Sequence, residues 1–554
     1  MTRKAGSAGV MVRGRHRTAG RIGSAGAADH QDRAATRNRN GRRHERRQER
    51  LQRDRVGGEE TDITAQAHTR RHTGTISSVD ACVHGAVART RALTYAVSSA
   101  IMKRRIEREG IMAATGVSNG LTVLRGTLIT CHDDPFLTDP AKAFSVESDG
   151  IVLCRDGMIE AVGPAAELLA SVPAGTPIAS YPGCLIAPGF IDTHVHYVQT
   201  GMVASYGKQL LDWLDRYAFP TEIEFANEAH AARMAATFCD ELLRNGTTTA
   251  LVFCAVYPQS VDALFAEAER RGMRLVAGKV LMDRNAPEAL RDTPQKGYDD
   301  SKALIGRWHK HARSLYAITP RFAGTSTPEQ LDAAGALWRE HPDVCVHTHI
   351  AENRREIEWT AQLFPSAKNY LDVYDRHGLI GRRAVLAHGI HLGEEELCRC
   401  HESGTALSHC PTSNLFLGSG LFRVGAVKDP KRPVHVGLGT DIGGGTSFSL
   451  LATMGAAYEI AQLGGRALSA VEAFFLATLG GARALALDDR IGSLAVGREA
   501  DLTVLDPNAT PLLTLRNARA DSVEDTLFAL MIMGDDRAVR ATYVAGRLAH
   551  ERAA

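Results

Sequence analysis

The chain has almost no net charge, no cysteine framework and no apolar run long enough to span a bilayer, and each shortage closes a route. Its formal charge is +2 over 554 residues. That balance hides a basic head, since residues 1–56 carry about +11 and the remainder about −9. A mildly acidic body gives no electrostatic case for nucleic acid, so a small-molecule partner is expected. The ten cysteines include no CxxC pair, only the CxC of Cys398 and Cys400, so reduced thiols in a cytoplasmic protein are expected. The stretch Leu93–Met102 is too short and too polar against the ~18 apolar residues a membrane span needs, so no membrane partner is expected. Arg42-Arg43 has no apolar segment behind it, which excludes a twin-arginine signal.

What is present is ordinary for a globular protein: 44% hydrophobic and 23% charged residues, enough to bury a large core. Residues 1–115 lack periodicity and are rich in Arg, Ala, Gly and Ser, a composition that cannot offset the entropy of ordering. They read as a disordered or spurious extension, with translation starting at Met102 or Met112. A basic arm for RNA is the other reading of the same residues.

Order is expected from about residue 116. Leu121–Leu124 and Thr127–Thr130 cluster as strands around Gly126, and Gly150–Cys154 followed by Asp156-Gly157 and Met158–Val162 reads as a hairpin. Ala500–Leu505 and Ala541–Leu548 supply matching strands at the far end, so residues 116–184 and 490–554 are expected to form one small β-sandwich domain from both chain ends. Between them, apolar strands alternate with amphipathic stretches, as in Thr248–Phe253, Val261–Arg271 and Arg274–Gly278. Repeated β–α units over residues 185–489 predict an α/β fold, a (β/α)8 TIM-like barrel with its chemistry at the C-terminal strand ends.

The chemistry begins at Pro188-Gly189-Phe190-Ile191-Asp192-Thr193-His194-Val195-His196. Side chains at i and i+2 of a strand share a face, so His194 and His196 present two imidazoles together. Three more metal-type residues sit at strand tails: His349 after Val344-Cys345-Val346, His388 after Ala384–Ala387, and Asp441 after Val436–Thr440. Imidazole and carboxylate donors suit a borderline divalent ion such as zinc. His347, His391 and His409 read as structural.

These motifs resemble the amidohydrolase superfamily, and the resemblance extends from about Leu121 to the C-terminus. It implies one zinc ion per chain held by His194, His196, His349 and Asp441, with His388 beside it. The stretch Tyr316-Ala317-Ile318-Thr319-Pro320-Arg321-Phe322 lacks the lysine of two-metal members, which points to the mononuclear branch, and Lys279 reads as structural or peripheral. Finer stretches, including His196–Gln199, Tyr206–Leu214, Tyr217–Glu222, His349–Asn353, His409–Asn414 and Gly439–Thr446, are similar to the guanine deaminases of that superfamily. The resemblance implies hydrolytic deamination of guanine to xanthine and ammonia by a homodimer. Asp441 is then expected to take the proton of the attacking water, Glu352 to protonate the ring, and His388 to steady the tetrahedral intermediate. Arg321 is expected to meet O6 and N7 of the purine, Gln199 the opposite edge, and Phe322 the ring face. Mononuclear relatives acting on adenosyl nucleosides, cytosine or chlorotriazines stay open as alternatives, as does a catalytically silent scaffold. A cytidine-deaminase zinc site is excluded, because no PCxxC accompanies an HxE.

Overall fold

The computed structural model describes residues 120–207 and 209–553. The expectations for residues 1–115, the first residues of the 116–184 segment and Lys208 lie outside the described residues.

Four strands open the described chain: β1 (Leu121–Cys131), β2 (Phe144–Arg155), β3 (Met158–Pro164) and β4 (Ile178–Pro188). The β2–β3 hairpin turns at Asp156 and Gly157, whose φ values of 51° and 85° are the left-handed pair such a two-residue turn requires. The β1 ladder shifts register on both sides of Gly126, and bulges of this kind bend a strand and increase its twist. The sheet therefore curls over its own apolar face.

The barrel follows directly. Its strands are β5 (Phe190–His196), β6 (Thr247–Phe253), β7 (Arg274–Gly278), the two-residue β8 (Val280–Leu281) on one side, then β9 (Leu315–Pro320), β10 (Cys345–Ile350), β11 (Ala384–His388), β12 (Ala406–His409) and β13 (Val436–Leu438). All the pairings are parallel, in the order β13-β12-β11-β10-β9-β7-β6-β5 with β8 on β9. The ring closes just past β13, where the His196 amide donates to Ile442 (2.9 Å) and the Asp441 amide to His194 (2.9 Å). Asp192 reinforces the seam by accepting from the Thr440 amide (3.1 Å) and hydroxyl. This is the expected (β/α)8 architecture.

Helix starts were written into the connecting segments. Thr293 and Thr327 cap helices Pro294–Trp308 and Pro328–Glu340, each with proline in the first turn, where no amide is needed. The helix expected over Val261–Arg271 begins earlier, at Pro258, for the same reason, and ends at Gly272 with φ 70°. Inside the barrel, Ile191, Leu251, Val276, Ala317, Cys345, Val385 and Ala406 give one residue from each of seven strands to an apolar layer plugged by Ala482, Leu485 and Ile491. Polar groups are thereby left to the opposite end.

The last strands, β14 (Leu502–Leu505), β15 (Val539–Val544) and β16 (Arg547–Glu551), return to the first ones. β14 pairs antiparallel with β4, Leu502 opposite Pro188, so both chain ends build one domain. Its core unites Leu124, Val152 and Ile186 with Leu502, Val504 and Tyr543. The ladder is continuous through seven strands, β16-β15-β14-β4-β1-β2-β3, instead of breaking into two separate sheets.

Candidate active site

Each polar residue singled out from the strands lies at a C-terminal strand end. His194 and His196 end β5, His349 and the following Glu352 leave β10, His388 ends β11, and Asp441 follows β13. Three of these turns use left-handed backbone at residues with a side chain: Ala351 (φ 47°), His388 (φ 70°) and Asp441 (φ 52°). Such conformations cost ~1–3 kcal/mol each and persist where the surroundings over-determine them.

The donors converge. Asp441 Oδ1 lies 3.1 Å from His194 Nε2 and 3.3 Å from His196 Nε2, and His196 Nε2 lies 3.2 Å from His349 Nε2. One ligand atom from each of His194, His196, His349 and Asp441 falls within 4.8 Å of all the others. Burial holds the three imidazoles below their ordinary pKa, His196 at about 4, so they are neutral. Burial also works against ionisation of Asp441, yet His194 and His196 hold its carboxyl well below the usual carboxylate range.

The outer partners fix which nitrogen is bare. His349 Nδ1 donates to the Arg321 carbonyl (2.7 Å), leaving Nε2 as a lone pair. His194 Nδ1 meets His347 Nε2 at 2.8 Å, and His194 Nε2 is buried with no hydrogen-bond partner. Neutral lone pairs facing one another beside a carboxylate repel unless a cation lies between them. The donor set therefore fits a divalent metal of borderline softness.

His388 stands beside this cluster. Its Nδ1 contacts Asn414 Oδ1 (2.9 Å), while Nε2 lies 3.4 Å from Glu352 Oε2 and 3.7 Å from Asp441 Oδ2. Burial, with the Asp441 charge added, pushes the Glu352 carboxyl up to about 8, so it holds a proton at neutral pH. Ser419 Oγ donates to Glu352 Oε1 at 2.9 Å.

A cavity opens over the cluster, lined by His196, His349, Glu352, His388 and Asp441 together with Gln199 and Arg321, with Trp213, Phe322 and Leu417 as apolar wall. Phe322 is buried and tilts against Trp359. Eight of the nine sequence-derived candidates line this cavity, and the ninth, His194, belongs to the donor cluster beneath it. His347 lies behind His194, His409 stacks on Phe422, and His391 contacts the Ser419 carbonyl, so none of the three joins the donor set. Lys279 is buried in an ion pair with Asp292 and does not line the cavity.

Sequence reasoning missed the groups behind these side chains. Glu222 is fully buried and accepts from both Gln199 Nε2 (2.8 Å) and Arg321 Nη1 (2.6 Å). Asn414 and Ser419 orient His388 and Glu352. For Glu222 and Asn414 the available signal was their position inside the stretches Tyr217–Glu222 and His409–Asn414 that carry the resemblance, whereas Ser419 lies outside both.

Residues 185–549 match the amidohydrolase family. The guanine deaminase of Escherichia coli (strain K12) is 50% identical over 435 residues, spanning 78% of this chain and 98% of that enzyme. The solved structure of E. coli guanine deaminase superposes with a TM-score of 0.76 at 49% identity, covering 78% of this chain and 100% of that one. Guanine deaminase from C. acetobutylicum, solved with guanine bound in its active site, gives 0.68 at 29% identity over 77% of this chain and 99% of that one. Barrel, rim cluster and kinship agree: the chain belongs to the amidohydrolase family.

Proposed function

We propose that this chain is a metal-dependent hydrolase that converts guanine and water to xanthine and ammonia. The observation that carries the reading is a single cavity joining a metal-type donor cluster to a buried polar end, formed by Gln199 and Arg321, suited to a purine edge. Guanine shows O6 and N7 acceptors on one edge, and a guanidinium matches both with parallel donors. Phe322 and Trp213 cover the ring faces. C2 and its amine then point towards Asp441 and Glu352.

In this reading His194, His196, His349 and Asp441 would hold one zinc ion, which would supply the Lewis acidity that brings the pKa of water from 15.7 towards ~7. Asp441, ionised and at the cluster, accepts the proton of the attacking water. Glu352, which keeps its proton near neutrality, delivers it to the ring nitrogen next to C2. It then regains a proton by way of Asp441 and passes it to the 2-amine, which leaves as ammonia when the C–N bond breaks, and the hydroxyl on C2 returns its proton to Glu352 as the carbonyl forms. His388, between the two carboxyl groups, orients the attacking oxygen and steadies the tetrahedral intermediate that forms at C2.

In the same reading residues 185–489 are the catalytic barrel, residues 116–184 and 490–554 its satellite, and the assembly is a homodimer. The nine described cysteines are free and eight are buried, which suits a cytoplasmic enzyme. No helix among the described residues is long and apolar enough to cross a membrane.

The deciding experiment follows guanine loss and xanthine and ammonia appearance with purified protein, before and after chelation and after zinc is restored. Turnover that vanishes with the metal and returns with zinc is expected. Activity on an adenosyl nucleoside, cytosine or a chlorotriazine in place of guanine overturns the substrate, and turnover indifferent to chelation overturns the metal.

A further inference from the structure

Glu222 touches neither the cavity nor the donor cluster, yet it is wholly buried and ends two hydrogen bonds from the groups at the purine-reading end. We propose that Glu222 is the positioning residue that sets the enzyme's preference for an oxo group over an amino group at C6 of the purine, by fixing which atoms Gln199 and Arg321 present. The inference rests on guanine being the substrate.

An unrestrained glutamine amide can flip, exchanging its donor and acceptor. Gln199 cannot, because it is pinned from both ends. Its Nε2 donates to Glu222 Oε1 (2.8 Å) and its Oε1 accepts from the Gly443 amide (3.0 Å). A flip would set its NH2 against the Gly443 N–H and its carbonyl against a carboxylate. Arg321 is held in the same way: Nη1 donates to Glu222 Oε2 (2.6 Å), and the guanidinium carbon lies 5.4 Å from the centre of the Phe219 ring. A guanidinium has five N–H donors and no acceptor, so once one is tied to Glu222 the others have a fixed aim at the cavity. A 6-oxo purine meets those donors with an acceptor. A 6-amino purine meets them with another donor and leaves buried groups unpaired, the situation in which a site discriminates most strongly.

Glu222 also neutralises Arg321 within the buried end. The polar end as a whole therefore carries no net charge, which suits a neutral base. Without the carboxylate, Arg321 would be an uncompensated buried cation that escapes by turning towards water.

The test compares kcat/KM for guanine with that for 2,6-diaminopurine, which keeps the 2-amine and replaces the 6-oxo group, in wild type, Glu222→Gln and Glu222→Ala. Metal content per chain and thermal unfolding are measured alongside. Glu222→Gln preserves size but cannot accept at both ends, so the guanine preference is expected to fall about 10-fold or more with metal content unchanged. In an Arg321→Ala background the same substitution is expected to change the ratio little further. A ratio equal to wild type, with both substrates slowed alike, overturns the proposal, as does a Glu222→Gln protein that no longer folds with its metal. Wild type that leaves guanine untouched overturns the substrate reading instead, so the two failures are distinguishable.

Discussion

Arg321 does two jobs through different atoms. Its carbonyl accepts from His349 Nδ1 and its side chain lines the cavity. Arg321→Ala removes only the second, so guanine turnover should fall ~10²-fold or more while metal per chain stays at the wild-type value. Elemental analysis beside the kinetics checks this, and metal loss would place the side chain in the cluster's support instead. Glu352 makes the complementary case, a carboxyl kept protonated by burial and positioned by Ser419. Glu352→Gln keeps the shape and the Ser419 contact but cannot pass a proton on. Turnover should drop ~10²–10⁴-fold with guanine affinity preserved, as titration calorimetry would show.

At the scale of elements, helix Arg354–Leu363 carries a pH dependence of its own. Its capping residue Asn353 is answered by Glu356, whose carboxylate accepts from the Glu352 and Asn353 amides (2.9 and 3.1 Å), while Tyr370 donates to the other oxygen (2.6 Å). Burial outweighs these donors and raises the Glu356 carboxyl to about 7, against ~4.3 in an unfolded chain. The folded state therefore binds more protons between those values. The stability this group contributes is whole below the unfolded value and is lost as pH rises through about 7. Glu356→Gln imitates the protonated form, so the unfolding temperature of wild type relative to this variant should decline from pH 4.5 to 7.5 and then level off. A flat difference would show that the carboxyl is ionised throughout.

The ligand set was legible in the sequence because strand periodicity is local: His194 and His196 two apart, and His349, His388 and Asp441 each closing an apolar run. Glu222 was not, since a glutamate in a short helical stretch ordinarily faces water. Its partners stand 23 and 99 residues away, brought close only by barrel closure. The left-handed turns at His388 and Asp441 were hidden because such backbone, although enriched at His and Asp, is still uncommon for either.

At the scale of the whole molecule, the barrel and the chain-end domain are tied by charge as well as by strands. Glu499 accepts from Arg274 at the start of β7 and from Arg313, which also pairs with Asp501. Arg274 and Arg313 are both largely buried. Glu499→Ala should cost ~3–5 kcal/mol, the penalty for stranding a buried charge, and should lower the unfolding temperature while leaving the substrate preference of the remaining folded enzyme intact. Calorimetry and the guanine assay together check both halves. The alternation of strands and helices announced the barrel, and the two terminal strand sets announced their shared domain. The Arg274–Glu499–Arg313 tie was beyond reading, because it joins residues separated by most of the barrel.

The pairing of β14 with β4 also sets a timetable. A ribosome releases β4 before any of the barrel and β14 only after nearly all of it, so one flank of an early strand waits bare while the intervening units assemble. An open flank of this kind invites pairing with neighbouring chains. Slow translation, or a stop codon upstream of Leu502, should therefore yield insoluble protein even when every metal-binding side chain has already been made.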